Sequence, residues 1–194
     1  KSKLQAALSQ IADLEVVEYG RYADVVLEVD EDSGRLTGRL TSNDGIQFDK
    51  VVASDAAALI DQLRPQLENA LVVKKLVRLS NPNPPFKVQI WMEDKGERPV
   101  YQVGEVAVFK FKSEQTCYLT LLNVDTQGEI TMLFPNKYHP SNEIAANDVY
   151  TIPSSSMEFI IRAQAPPGKQ LVKAIATTVP ASIPEFDLNR TKEI

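Results

Sequence analysis

A chain of 194 residues, 43% hydrophobic and 24% charged, has the composition of an ordinary soluble globular protein and is long enough for one large domain or two small ones. Its net charge of −5 removes any global cationic field, which sets aside nucleic acid and anionic lipid as default partners. One cysteine and one histidine exclude an internal disulfide and a Cys/His zinc cluster, and no apolar run approaches the ~20 residues of a membrane-spanning helix.

The chain opens with KSKLQAALSQIADLE, in which Leu4, Leu8 and Ile11 recur at helical spacing with Ala7 and Leu14 beside them. It has neither an initiator Met nor the apolar stretch of a cleavable leader, so the expectation is a piece of a longer protein. ADVVLEVD then alternates as a strand. The turn DEDSG leads to a second strand in RLTGRLTS, and SNDG leads to a third in IQFDKVV. A long helix is predicted next, with Ser54 as its N-cap, Asp55 favoured at its positive end, and Leu59, Leu63 and Leu67 along one face. Pro65 is expected to kink that helix or to restart it. Residues 1–80 therefore read as a small α+β domain, a three-strand meander with flanking helices.

SNPNPPF breaks the pattern, and its prolines mark 81–85 as a linker. Beyond it nearly everything has period two. FKVQIWM puts Phe86, Val88, Ile90 and Met92 on one face, and EVAVFKFK puts Ala107, Phe109 and Phe111 opposite Val106, Val108, Lys110 and Lys112. TCYLTLLNV and GEITMLF are joined by DTQG into a hairpin. DVYTIP, MEFIIRA and KQLVKAIATT follow at regular spacing. The fold class is thus α+β followed by all-β, with an immunoglobulin-like β-sandwich predicted over 86–180 and a polar, proline-broken surface tail over 181–194. The charge divides evenly at Ser80, with 10 basic and 13 acidic residues before it and 11 and 13 after, so neither half is a basic module.

Few residues offer chemistry. Cys117 shares its strand face with Leu119 and Leu121, which predicts a packed thiol rather than a nucleophile with His139 as base. Asp30, Glu31 and Asp32 lack the ligand spacing of a calcium loop, and Asp44 and Asp49 read as solvated turn residues. No glycine-rich phosphate loop occurs, so no catalytic residue, metal or cofactor is predicted. Binding is left. LFPNKYHPSNEI is a long polar loop between strands, and Asn136, Tyr138, His139 and Asn142 are its candidate partner-binding residues. Trp91, Tyr118, Tyr138 and Tyr150 are candidates for an aromatic platform, with the alternation leaving open whether Trp91 is wet or buried.

Several segments of the second half taken together resemble a bacterial β-sandwich family of unknown function. They are Tyr101 with Val103-Gly104-Glu105, Tyr118-Leu119-Thr120-Leu121, Gly128, Leu133-Phe134-Pro135-Asn136, Pro167-Gly168 and Lys173 to Thr177. That family often sits C-terminal to a caspase-like cysteine peptidase, or to other signalling and enzymatic modules. In the first half RYADVVLEVD, SNDGIQF and LVRLSNPNPPF resemble the connecting region of such peptidases. The resemblance implies a non-catalytic accessory or interaction region whose partner is an upstream peptidase domain in the same parent chain or another protein. The catalytic Cys and His would lie outside these residues. The alternative is a stand-alone cell-envelope or carbohydrate- or protein-binding module. The compartment is left open, with export to a bacterial envelope among the options.

Overall fold

The computed structural model describes residues 2–12, 14–17, 21–43, 46, 48–93, 95, 99–180 and 192–193. The chain forms two compact units, Lys1–Leu79 with Asp125–Glu129, and Ser80–Val124 with Ile130–Ile194.

In the first unit the short helix α1 (Ser2–Leu8) precedes the antiparallel sheet β1-β2-β3, formed by Val25–Asp32, Arg35–Ser42 and Val51–Ala53. Asp32 pairs with Arg35, so only Ser33 and Gly34 turn the first hairpin. Both have positive φ, 51° and 74°, the backbone that a two-residue turn needs to match the strand twist. The acidic run therefore belongs mostly to a strand. The predicted second turn, SNDG, falls partly outside the described residues at Asp44 and Gly45.

Helix α2 (Ala56–Arg78) covers one face of this sheet with Leu59, Ile60, Leu63, Leu67, Ala70, Val73 and Leu76, buried at three- and four-residue steps. At Gly38 of β2 the layers lie close together, since a Cβ there would sit 3.0 Å from Leu63 Cδ1 and 3.1 Å from Leu59 Cδ1. The N-cap is Asp55, not Ser54. The Asp55 carboxylate accepts from the Ala57 and Ala58 amides at 3.0 Å each, and the Ser54 hydroxyl donates to that same carboxylate at 3.0 Å. A carboxylate is the stronger acceptor for amides at the positive end of a helix, and that displaces the cap by one position. Nor does Pro65 restart the helix, because α2 runs from Ala56 to Arg78 with Pro65 inside it on an exposed position.

In the second unit β4 (Val88–Met92), β6 (Phe109–Ser113) and β10 (Tyr150–Ile152) form a sheet in the order β10-β6-β4. β5 (Val106–Ala107) pairs with β11 (Ile161–Arg162) in a separate ribbon. The largest sheet runs β12-β7-β8-β13, from Leu171–Thr177, Cys117–Val124, Ile130–Phe134 and Lys192–Glu193, with β9 (Glu143–Ile144) also on β7. All these pairs are antiparallel except β13 with β8. The run EVAVFKFK, predicted as one strand, is therefore two that serve different sheets. Val108 lies between them, and its carbonyl accepts from the Glu93 amide at 3.0 Å. Of MEFIIRA only Ile161 and Arg162 are strand. Of the predicted tail, only Lys192 and Glu193 lie among the described residues.

Side chains from these sheets meet in one apolar core. Phe109 and Phe111 of β6, Cys117, Leu119 and Leu121 of β7, Phe134 of β8 and Ile152 of β10 are its buried centre. Several small antiparallel sheets around a shared core are thus established, without a clear immunoglobulin-like arrangement of two sheets. Among the described residues no helix is long and apolar enough to cross a membrane.

Candidate functional site

The loop after β8 is held by strand β7 at both ends. One edge of β7 pairs with β12 from Tyr118 to Val124. Its other edge takes β8 along Leu121–Val124 and β9 at Cys117 and Tyr118. The chain therefore leaves β8 at Phe134, crosses residues 135–142 and returns to the same strand as β9. Between the two pairings the Leu119 amide donates to the Asn142 carbonyl at 2.8 Å. The span of the loop is fixed by β-sheet registry rather than by its own sequence.

Inside the loop Asn136 is buried at 5% exposure. Its Nδ2 donates to the Leu133 carbonyl at 2.9 Å, and its Oδ1 accepts from the Tyr138 and His139 amides at 2.9 and 3.0 Å. Its backbone also exchanges both hydrogen bonds with His139, at 3.0 and 3.1 Å. One asparagine thus satisfies several backbone groups of a turn that has no other ladder.

Rings fill the space around this turn. Phe111 lies 5.1 Å from Phe134 and 5.6 Å from Tyr150, and His139 lies 5.1 Å from Phe134 and 5.8 Å from Tyr150. The Tyr150 hydroxyl accepts from the Ala145 amide at 2.9 Å. His139 Nδ1 is 2.8 Å from the Ser141 carbonyl. A carbonyl only accepts, so Nδ1 carries a proton. Tyr138 stacks on Phe159 with centroids 5.3 Å apart, and the exposed Lys137 ammonium sits 5.0 Å above the Tyr138 ring. Tyr138, His139 and Asn142 are half-buried, each with a flank toward solvent.

The predicted residues therefore divide by role. Tyr138 and His139 come together on a braced surface, Asn142 holds the loop to β7 through its carbonyl, and Asn136 organises the turn from within. Lys137 and Phe159 escaped the sequence reading. Phe159 is distant along the chain, and only the fold brings it beneath Tyr138. Cys117, at 1% exposure, is packed in the core, out of reach of any substrate. The side chains of Asp30, Glu31, Asp32 and Asp49 are exposed, and among the described residues no group of three or more His, Cys, Asp or Glu converges on a metal-sized space. Tyr118 and Trp91 are half-buried, with Trp91 facing away from the core.

Residues 100–180 match the family model described as a domain of unknown function (DUF4384). No curated protein and no solved structure matches the chain. The match runs from Val100 to Pro180, so it holds the whole 135–142 loop and every ring around it, and it leaves out β4 with Trp91. It carries no link to caspase-like peptidases.

Proposed function

We propose that this chain is a non-catalytic accessory region of a bacterial caspase-like cysteine peptidase, and that the Tyr138 loop is its contact surface for a protein partner. The peptidase part of the reading rests on the sequence likeness of both halves. The contact surface rests on one structural observation, which is that Tyr138 and His139 are presented by a loop already locked in place. Partners that are ordered before binding lose less conformational entropy on association. A tyrosine stacked on a second ring, with a cation beside it, has the character of the residues that carry most of an interface's energy.

The finer fold assignment belongs to the same proposal. An immunoglobulin-like sandwich is supported by the core shared between sheets and by Tyr150, whose hydroxyl bonds a backbone group five residues upstream at the start of β10. That contact is of the kind that fastens a corner in such sandwiches.

The test has two parts. Antiserum to this chain should detect a native polypeptide much heavier than 21.6 kDa that also carries a Cys/His peptidase unit. That unit, expressed separately, should bind the 194-residue chain, and Tyr138→Ala should weaken binding about tenfold, the loss of roughly 1.4 kcal/mol. A native mass near 21.6 kDa would shift the reading to a stand-alone binding module. Binding unchanged by Tyr138→Ala would remove the loop from it.

A further inference from the structure

The only tryptophan of the chain stands on the outward face of the β10-β6-β4 sheet. Val88, Ile90 and Met92 of β4 pack on the core, which turns Gln89 and Trp91 outward. On β6, Phe109 and Phe111 point inward and Lys110 and Lys112 outward. The register sets Trp91 opposite Lys110 and Gln89 opposite Lys112, and Thr151 of β10 lies on the other side of Lys110. Lys110 is held by Glu93 at 2.6 Å. One row along from Trp91, residues Lys87, Gln89, Lys112, Glu114 and Asn147 line an open cleft of about 200 Å³. Glu114 in that cleft accepts from the Lys87 backbone amide at 2.9 Å. The Lys87 and Lys112 ammonium groups form no ion pair among the described residues.

We propose that this face binds a uronate-bearing polysaccharide, with one sugar ring against the Trp91 indole and the carboxylate of a neighbouring ring over Lys112 and Lys87. Residues i and i+2 of a strand are about 7 Å apart, so the indole and the cleft lie within reach of one oligosaccharide. The indole offers a flat apolar surface to the C–H side of a pyranose. The amides of Gln89 and Asn147, the Thr151 hydroxyl and the Glu114 carboxylate supply both donors and acceptors, which suits hydroxyl groups. The Lys87 and Lys112 ammonium groups complement a carboxylate, and a charged acceptor strengthens each hydrogen bond it receives. A single-stranded nucleic acid would also bring charge and stacking rings. The mixed donors and acceptors of this face suit the hydroxyl groups of a sugar, and preference for an oligonucleotide is an outcome of the test. The site uses no residue of the Tyr138 loop and does not depend on the peptidase reading.

Because Trp91 is the sole tryptophan, its emission reports directly on the site. The 194-residue chain would be titrated with oligogalacturonate, oligomannuronate, a neutral glucan oligosaccharide of equal length and a single-stranded oligodeoxynucleotide. The expected result is a saturable emission change with at least one uronate oligosaccharide, weakened by added salt and about tenfold weaker with the neutral glucan, the equivalent of roughly 1.4 kcal/mol. Lys112→Gln should weaken the uronate complex by a similar factor. Trp91→Ala, followed by calorimetry, should abolish it. If Trp91→Ala fails to fold, as judged by circular dichroism, Gln89→Ala takes its place, since that side chain is exposed. No saturable binding by either uronate, unchanged binding in Lys112→Gln, or preference for the oligonucleotide would each overturn the proposal.

Discussion

Asn136 shows how a polar residue in a loop serves the fold instead of a partner. Its side chain joins Leu133, Tyr138 and His139, and it is buried. Asn136→Ala would leave several partly buried backbone groups without their bond, and we expect a loss of about 1–3 kcal/mol in chemical unfolding. Asn142→Ala should stay within about 0.5 kcal/mol, because it is the Asn142 backbone carbonyl that bonds Leu119. The two asparagines were indistinguishable in the sequence. Both sit in a polar, proline-flanked loop, and nothing local in FPNKYHPSN says which amide points inward. Cys117 was different, since its strand parity with Leu119 and Leu121 already announced burial, and the structure places it in the core at 1% exposure. A thiol reagent should therefore label Cys117 in denaturant and leave it unmodified in the native protein. Labelling of the native protein at the denatured rate would contradict that packing.

Elements were legible wherever burial imposed a period. The alternation along β4 and β6 and the helical stripe of α2 are the same residues that form the buried faces, whereas β7 is buried on both faces at Leu119–Leu122. Alternation does not reveal which strand is the neighbour, so nothing in EVAVFKFK separated β5 from β6. Period also fails where a contact depends on one missing atom. Gly38 falls in the middle of a good strand, and its reason is the closeness of Leu59 and Leu63 across the sheet-helix layer. Gly38→Val should destabilise by about 1–3 kcal/mol through overpacking, with Gly38→Ala milder because the leucine tips can yield by a few tenths of an ångström. Pro65 is a lever in the opposite direction. It is exposed inside α2 and has no amide to donate to the helix. Pro65→Ala restores a bond and should raise stability by about 1–3 kcal/mol. Urea midpoints for the three variants would read both effects, and an unchanged or lower midpoint for Pro65→Ala would show that the helix is adapted to its proline.

For the whole molecule, each unit carries, among the described residues, an exposed carboxylate whose proton is held off by the fold, and this ties stability to pH. In the first unit the Asp55 carboxyl lies below its ordinary value of 3.8, chiefly through the Ala58 amide and then the Ser54 hydroxyl. In the second, Glu105 lies below its ordinary value of 4.5, chiefly through the Lys95 ammonium at 2.7 Å and then the Gln102 amide at 2.8 Å. Lys95 also donates to the Val100 carbonyl at 2.9 Å and lies 4.2 Å above the Tyr101 ring, so Glu105 shares its lysine with both. Where a folded pKa is depressed, the unfolded chain binds more protons through the interval, so stability rises with pH there. The contribution is complete above the ordinary values, begins to be lost as pH falls below about 4.5 for Glu105 and 3.8 for Asp55, and vanishes below the folded values. Both groups face solvent, so each effect is modest. Urea midpoints should fall between pH 7 and pH 3, and the fall should shrink in Glu105→Gln and in Asp55→Asn, which keeps a capping oxygen. Salt then separates the causes. It should weaken the Lys95–Glu105 part through screening and leave the amide bonds to Asp55 largely intact. A pH dependence identical in wild type and both variants would mean that other carboxylates govern the acid limb and that these two contacts add nothing measurable to the fold.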